Sequence, residues 1–349
     1  MAQLGLTTYR LNNNLKSTAL LIAFPFLLLT LAGGIAFGFG AIEGFGDPVE
    51  FALDALYDWW PIVLGVATIW MVIGYFFNDA IIHRATGAQA VTRQQESQLY
   101  DLVENLCISR GVAVPRLYVV ETDAMNAYAS GIDQKSYAIT VTRGLLNAMN
   151  RDELEAVLAH ELTHIMNRDC RLLIVTIVFV GMISFLTQLL WRSMRVASFT
   201  RVRGKGGAAV LVFMLVAAVM SAIGYLLALI LRFAISRRRE YQADAGSVDL
   251  TKNPDALISA LLKIANNPEI PHVPTEVRQM FIENPPSRSS LGHLFDTHPP
   301  IDKRIAVLEA LGGHAPLQAP VTAAVSENAP TPAGSGPWAA SEQKGPWGG

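Results

Sequence analysis

Four stretches without a single charged residue constrain this chain most: about Thr18–Phe39, Trp59–Phe77, Leu172–Trp191 and Ala208–Leu231. Each offers the roughly 20 apolar residues that a helix needs to cross a bilayer. A chain carrying them cannot fold as an ordinary soluble domain. Composition agrees, because 51% of the 349 residues are hydrophobic and only 16% are charged, against about 25% charged in soluble domains. Trp59, Trp60, Phe76, Phe77 and Trp191 mark segment ends, where aromatic rings settle at the membrane–water boundary. Arg10 and Lys16 precede the first segment as in a signal peptide, but its apolar run is too long for one. It is read as a retained anchor.

Short loops set the orientation. The loop between the first two segments carries Glu43, Asp47, Glu50, Asp54 and Asp58 and no Lys or Arg, whereas Arg10, Lys16, Arg84 and Arg93 lie on the other side. Residues 40–58 are therefore placed outside, with 1–17 and 78–171 inside. In a bacterium that is the cytoplasmic face of the inner membrane. The loop after the third segment holds Arg192, Arg195, Arg201, Arg203 and Lys205, which conflicts with the charge rule if segments three and four both span. A re-entrant or peripheral hairpin removes the conflict; length favours two spans, and a multi-pass chain. Net charge is −2, so nothing argues for nucleic acid. Two cysteines, Cys107 and Cys170, fit a reducing compartment and not a disulfide framework.

Between the second and third segments stands His160-Glu161-Leu162-Thr163-His164, an H-E-x-x-H motif. Asn150 followed by Glu153 reads as an N-cap with its Glu three residues on, and acidic Asp152, Glu153 and Glu155 suit the positive end of a helix. Leu154, Val157, Leu158, Leu162 and Ile165 form a stripe at helical spacing. The spacing predicts a helix over about 151–168. His160 and His164 then share one face and can reach one metal ion. Glu161 is turned about 100° away, a poor third ligand but a suitable base for a water beside the ion. The implied chemistry is zinc-dependent peptide hydrolysis. Charged Arg151, Asp152, Glu153, Arg168 and Asp169 flank the motif, so it is not placed inside a span.

A third ligand is needed. Asn167 and Cys170 stand where a three-histidine pattern would need Gly and His, and no glycine breaks the helix to bring Cys170 back. A Glu on a second helix gives the His2Glu alternative. Glu240, followed by Asp244 on the same helix face, is the candidate ligand, and Asp244 suits the outer N–H of a ligating His. The bland alternative for Glu240 is a surface ion pair with Arg237 or a neighbour. The motif precedes segment three and Glu240 follows segment four, so they meet on one side if both segments span or if neither does.

The remaining soluble part reads as a helix over 92–110 with Leu99, Leu102, Val103 and Leu106 inward, a strand at Leu117–Val120, and an edge strand at Tyr137–Val141. Between them lies Asn126-Ala127-Tyr128-Ala129. Such a sheet offers an extended peptide an edge to pair with, or it is a plain hairpin; spacing leaves both open. Residues 254–266 and 275–283 read as short helices, and Thr297-His298-Pro299-Pro300 as a helix start. From Gly312 the chain is rich in Ala, Pro and Gly and is expected to be disordered.

HELTH, the Glu240–Asp244 pattern, Asn126–Ala129 and Thr297–Pro300, in this order, resemble the HtpX membrane zinc proteases, and more distantly the CAAX prenyl proteases, over about residues 1–311. The resemblance implies a mainly α membrane protein with an α+β zincin-type (gluzincin) protease domain and a small β-sheet. It implies one Zn2+ per chain on His160, His164 and Glu240, with Glu161 as base and Asp244 behind a ligand. It also implies Asn126, Ala127, Tyr128 and Ala129 along the substrate and His298 at the oxyanion. Tyr128 departs from the commoner Phe. The expected organisation is a cytoplasmic 1–17, a two-helix anchor 18–77, a zincin part 78–171, a membrane hairpin 172–231, a helical part 232–311 bearing Glu240, and a tail 312–349. Expected partners are protein substrates, chiefly membrane proteins, the lipid bilayer, and other membrane proteases. The expected task is stress-linked quality control on the cytoplasmic face. The rivals are a CAAX-type prenyl-peptide protease and a scaffold with a structural zinc.

Overall fold

The computed structural model describes residues 2–43, 46–199, 218–219, 222–223, 226, 237–271, 273–278, 280–283 and 299–314. Helix α1 runs Ala2–Glu43 and α2 runs Pro48–Thr86. Asp47 starts α2 by accepting from the Val49 N–H at 2.8 Å, with Pro48 in the first turn. Pro suits that position because its missing N–H would have no partner there. Among the described residues, Leu11–Ala41 and Pro48–Thr86 are long and apolar enough to cross a membrane. Their outer faces expose Phe26, Ile69 and Phe76, while Phe24 and Ala67 are buried. A helix apolar all round needs a partner on every side, which lipid supplies.

Both helices run beyond the apolar stretches they carry: α1 starts at Ala2, and α2 continues past Phe77 to Thr86. The third apolar stretch lies in α6, Asp169–Phe199, whose Val175, Phe179 and Met182 pack with Phe24 and Leu28 of α1 and Ala67 of α2. Most of the fourth stretch and all of 315–349 lie outside the described residues.

The soluble part is built on a four-stranded sheet: β1 Ala88–Ala90, β2 Arg116–Val120, β3 Ala127–Ser130 and β4 Ala138–Thr142, in the order β1-β2-β4-β3. The pairs β1–β2 and β3–β4 are antiparallel, and β2–β4 is parallel. The run at 137–141 is therefore an interior strand, not an edge, and every residue of β4 is buried. Its threonines give it a half-polar pattern, but the Thr142 hydroxyl is turned to use: Thr142 Oγ1 bonds the Asn126 carbonyl at 3.0 Å and caps α4, Arg143–Ala148, by accepting from Leu145 N–H. The edge is β3. Because β2 and β4 run parallel, these two runs are not a plain hairpin.

Helix α3, Ser97–Arg110, buries Leu99, Leu102, Val103 and Leu106 in a common core with β2, β4 and α5, Arg151–Asn167. Helices α7 Arg237–Thr251, α8 Pro254–Ile264, α9 Thr275–Arg278 and α10 Ile301–Ala310 follow among the described residues. The helix expected over 275–283 ends at Arg278. Beyond it the Ile282 N–H donates to the Ala127 carbonyl at 2.9 Å, so the chain leaves its helix to bond the edge of β3.

Candidate metal centre

Helix α5 carries the motif, and its start is fixed locally. Asn150 Oδ1 accepts from the Glu153 N–H at 2.9 Å, and Glu153 Oε2 accepts from the Asn150 N–H at 2.8 Å. This reciprocal cap satisfies two donors that a helix start leaves open. It also fixes the frame in which His160, Glu161 and His164 emerge. His160 and Glu161 are almost fully buried.

Helix α7 supplies the third group. Small residues let it lie close to α5: Ala243 and Ser247 are fully buried, and Ser247 Oγ donates to the Ala156 carbonyl at 2.6 Å. A Cβ on Gly246 would sit 2.4 Å from Thr163 Cγ2, so only glycine permits this approach. Glu240 is buried, which sets aside the surface ion pair. His160 Nε2 and His164 Nε2 are 3.2 Å apart. Glu240 Oε2 lies 3.7 Å from the first and Oε1 3.9 Å from the second. All three ligand atoms fall within 4.8 Å of one another. Two imidazoles and a carboxylate, buried and convergent, fit a divalent metal with an open position.

Behind each histidine stands a carboxylate. Asp244 Oδ1 lies 3.0 Å from His160 Nδ1. Asp169 Oδ2 lies 2.9 Å from His164 Nδ1. Both leave Nε2 to face the cluster. Asp244 is held in turn by Arg304 of α10, through Nη2 at 2.6 Å and Nε at 3.0 Å. Nothing in the sequence marks Asp169 or Arg304 for these roles. Asp169 reads as a flanking charge, yet α5 breaks at Arg168, a non-glycine in the left-handed region with φ 60°. That corner folds Asp169 and Cys170 back to the site without the glycine expected to be necessary.

The electrostatics of the cluster's own side chains follow from burial and these partners. Burial pushes His160 down to about 4, with Asp244 only partly opposing it. Burial works the same way on His164, but the Glu240 and Asp169 carboxylates outweigh it and raise the ring to about 9. Burial also drives the Cys170 thiol well above its ordinary value, and a thiol held neutral is a poor ligand. Burial likewise works against the Asp244 carboxylate, but Arg304 and His160 overcome it and keep it ionised.

A cavity opens on Glu161, His164 and Glu240, walled by Ala129, Met280 and Phe281. Strand β3 forms one side. Thr142 N–H bonds the Asn126 carbonyl, so by strand alternation the backbone groups of Ala127 and Ala129 turn away from β4. Asn126 is fully buried. Its Oδ1 accepts from the Ala127 and Ile282 N–H groups, and its Nδ2 donates to the carbonyls of Pro268 and Glu283. Tyr128 faces away from the cavity, its hydroxyl 2.8 Å from Thr86 Oγ1. Ala129 is the strand residue that lines the cavity. His298 lies outside the described residues.

Two histidines and a glutamate poised for one metal, a second glutamate beside them, and a frame anchored by apolar helices define a membrane-bound metallopeptidase. Comparison with known proteins gives the particular family. Residues 93–311 match Peptidase family M48. The Protease HtpX homolog of Bacteroides fragilis (strain YCH46) is 43% identical over 320 residues, 88% of this chain and 99% of that protein. Those of Ligilactobacillus salivarius and Lactobacillus helveticus are 33% and 36% identical, each alignment covering 85% of this chain and 97% of the relative. Among solved structures, S. mikatae Ste24p is similar at a TM-score of 0.46 and 20% identity, over 87% of this chain and 67% of that one, too slight a likeness to carry an argument. The chain belongs to peptidase family M48 and is a membrane-bound metalloendopeptidase.

Proposed function

We propose that this chain is a zinc endopeptidase of the bacterial inner membrane that cuts misfolded or damaged membrane proteins at the cytoplasmic face. The observation that carries the reading is the convergence of His160, His164 and Glu240 within 4.8 Å. A nitrogen-and-carboxylate donor set with three protein ligands suits zinc. When bound there, zinc supplies a Lewis acid and acidifies water to a pKa of about 7.

The chain's own residues do the rest. Glu161 takes the proton of the attacking water and passes it to the leaving amine. His298 donates to the developing oxyanion. Asp244 and Asp169 hold the two imidazoles in the tautomer that presents Nε2. The peptide lies extended along β3 and pairs with the outward backbone of Ala129; Asn126, Ala127 and Tyr128 hold that strand in place. Water is excluded by the Met280 and Phe281 wall.

Orientation rests on the acidic residues from Glu43 to Asp58 around the turn from α1 into α2, and on Arg84 and Arg93 at and beyond the far end of α2. Segments 172–191 and 208–231 are read as a second pair of spans, which brings α5 and α7 to the same side. The site then faces water close to the bilayer, where damaged membrane proteins expose cytoplasmic segments, and other membrane proteases would share that load.

The test is zinc content and cleavage of an unfolded model protein by the detergent-purified chain, beside Glu161→Gln. One zinc per chain in both, with turnover reduced about 10²–10⁴-fold in the variant, is the expected result. Retained cleavage in Glu161→Gln would sink the base assignment, and a chain without zinc would sink the reading.

A further inference from the structure

Ahead of the first apolar segment, the sequence offers only a polar lead-in. In the fold these residues are the first turns of α1, and they reach the metal centre. Asn13 is 2% exposed. Its Nδ2 donates to Asp169 Oδ1 at 2.8 Å and to the Asn167 carbonyl at 3.2 Å. The other oxygen of Asp169, Oδ2, is the one beside His164 Nδ1 at 2.9 Å. One carboxylate is thus shared between a candidate ligand and the first helix of the chain.

The corner at Arg168 explains why such a contact matters. Asp169 is the first residue of α6 and stands just past the left-handed break. A carboxylate turns broadly about its last torsion, and its hold on an imidazole depends on which oxygen faces the ring. An amide fastened to Oδ1 fixes that rotation and keeps Oδ2 on His164. The opposite histidine is built on the same plan, with Asp244 beside His160 and Arg304 clamping Asp244. Each carboxylate has a holder, and the two holders come from the first and last described helices.

We propose that Asn13 is a positioning residue for the metal centre, acting through Asp169 on His164, so that the first turns of the helix that carries the first apolar segment belong to the peptidase's metal shell. The proposal rests on the reading of His160, His164 and Glu240 as metal ligands. Partners of metal-binding imidazoles are worth about 10–100-fold in affinity, and a residue one step further out belongs at the lower end of that range.

The experiment measures zinc affinity of the full chain in detergent by competition with a chromophoric chelator, and the visible spectrum of the Co2+ form. Asn13→Ala should weaken zinc about tenfold and shift the cobalt bands. Asp169→Asn should weaken it at least as much. The double variant should bind no more weakly than Asp169→Asn alone, because both changes act on one link. Ser17→Ala is the packing control: Ser17 Oγ donates to the Asn13 carbonyl within α1 at 2.9 Å and is buried, and its loss leaves Asp169 untouched. It should keep wild-type affinity. Wild-type zinc affinity and cobalt spectrum in Asn13→Ala would overturn the proposal, as would multiplying effects in the double variant or an equal loss in Ser17→Ala. Failure of the underlying reading looks different: the wild type itself would hold no stoichiometric zinc, or His164→Ala would keep it.

Discussion

Arg304 grips both carboxylate oxygens of Asp244, at 2.6 and 3.0 Å, and both side chains are fully buried. The same guanidinium donates through Nη1 to the Ile282 carbonyl at 3.1 Å. One residue of α10 therefore ties the support of His160 to the segment bonded to β3. Asp244 alone would be a buried charge, and breaking such a pair from one side costs about 3–5 kcal/mol. Arg304→Met should lower the unfolding temperature and weaken zinc about 10–100-fold. Chelator competition and thermal unfolding check both, and wild-type zinc affinity in a folded Arg304→Met would show that Asp244 needs no clamp.

Gly246 sets the gap between the two ligand-bearing helices. A Cβ there would meet Thr163 Cγ2 at 2.4 Å and Oγ1 at 2.6 Å. Gly246→Ala should force α7 away from α5, at about 1–3 kcal/mol, and carry Glu240 away from the histidines. Zinc affinity should fall. Thr163→Ala, added to it, removes both clashing atoms and should restore part of the affinity. No recovery in the double variant would mean that the helices do not meet at this point.

Much of this site is legible in the sequence because it is written in helical spacing. His160 and His164 lie one turn apart, and so do Glu240 and Asp244; each pair is fixed once its helix forms. The capping residues Asn150 and Glu153 are legible for the same reason. Asp169 is not, because its approach depends on a left-handed Arg168, a conformation that the residue type disfavours and the tertiary structure imposes. Arg304 is not, because a lone arginine on a short amphipathic helix reads as solvated until the carboxylate opposite it is known. The interior position of β4 is hidden by Thr140 and Thr142, whose polarity counts against burial; for Thr142 that holds only while its hydrogen-bond partners are unknown. Asn13 sits in the sequence far from Asn167 and Asp169, the groups its side-chain amide bonds.

Asn126 holds three separate segments together. It takes the Ile282 N–H and gives its amide to the carbonyls of Pro268 and Glu283 from its place just before β3. Asn126→Ala takes the amide donor from the part-buried Pro268 and Glu283 carbonyls, at about 1–3 kcal/mol for each group stranded, and leaves the Ile282 N–H only its bond to the Ala127 carbonyl. The Met280–Ile282 wall should loosen, and cleavage of a short peptide should lose kcat/KM. Zinc affinity should stay within a few-fold of wild type, since Asn126 touches none of the candidate ligands. A large loss of zinc with an unchanged unfolding temperature would contradict that division of labour.

Glu153 provides the pH test. Burial works against its carboxylate, but Lys263, Ser259 and the Asn150 N–H outweigh it and hold the group below its ordinary value of 4.5. Lys263 Nζ lies 2.7 Å from Oε2 and Ser259 Oγ donates to Oε1 at 2.6 Å, so one side chain caps α5 and ties it to α8. A carboxyl depressed in the folded state contributes stability that is complete above its unfolded value and disappears as pH falls through its folded value. Glu153→Gln should therefore cost about 1–2 kcal/mol near neutral pH. That penalty should stay flat down to about pH 5 and shrink once the pH drops below the ordinary glutamate value. Unfolding of wild type and variant across that range gives the difference directly. A penalty that grows on acidification would mean that the Glu153 carboxyl is held neutral in the fold and that Lys263 does not bind it as an ion.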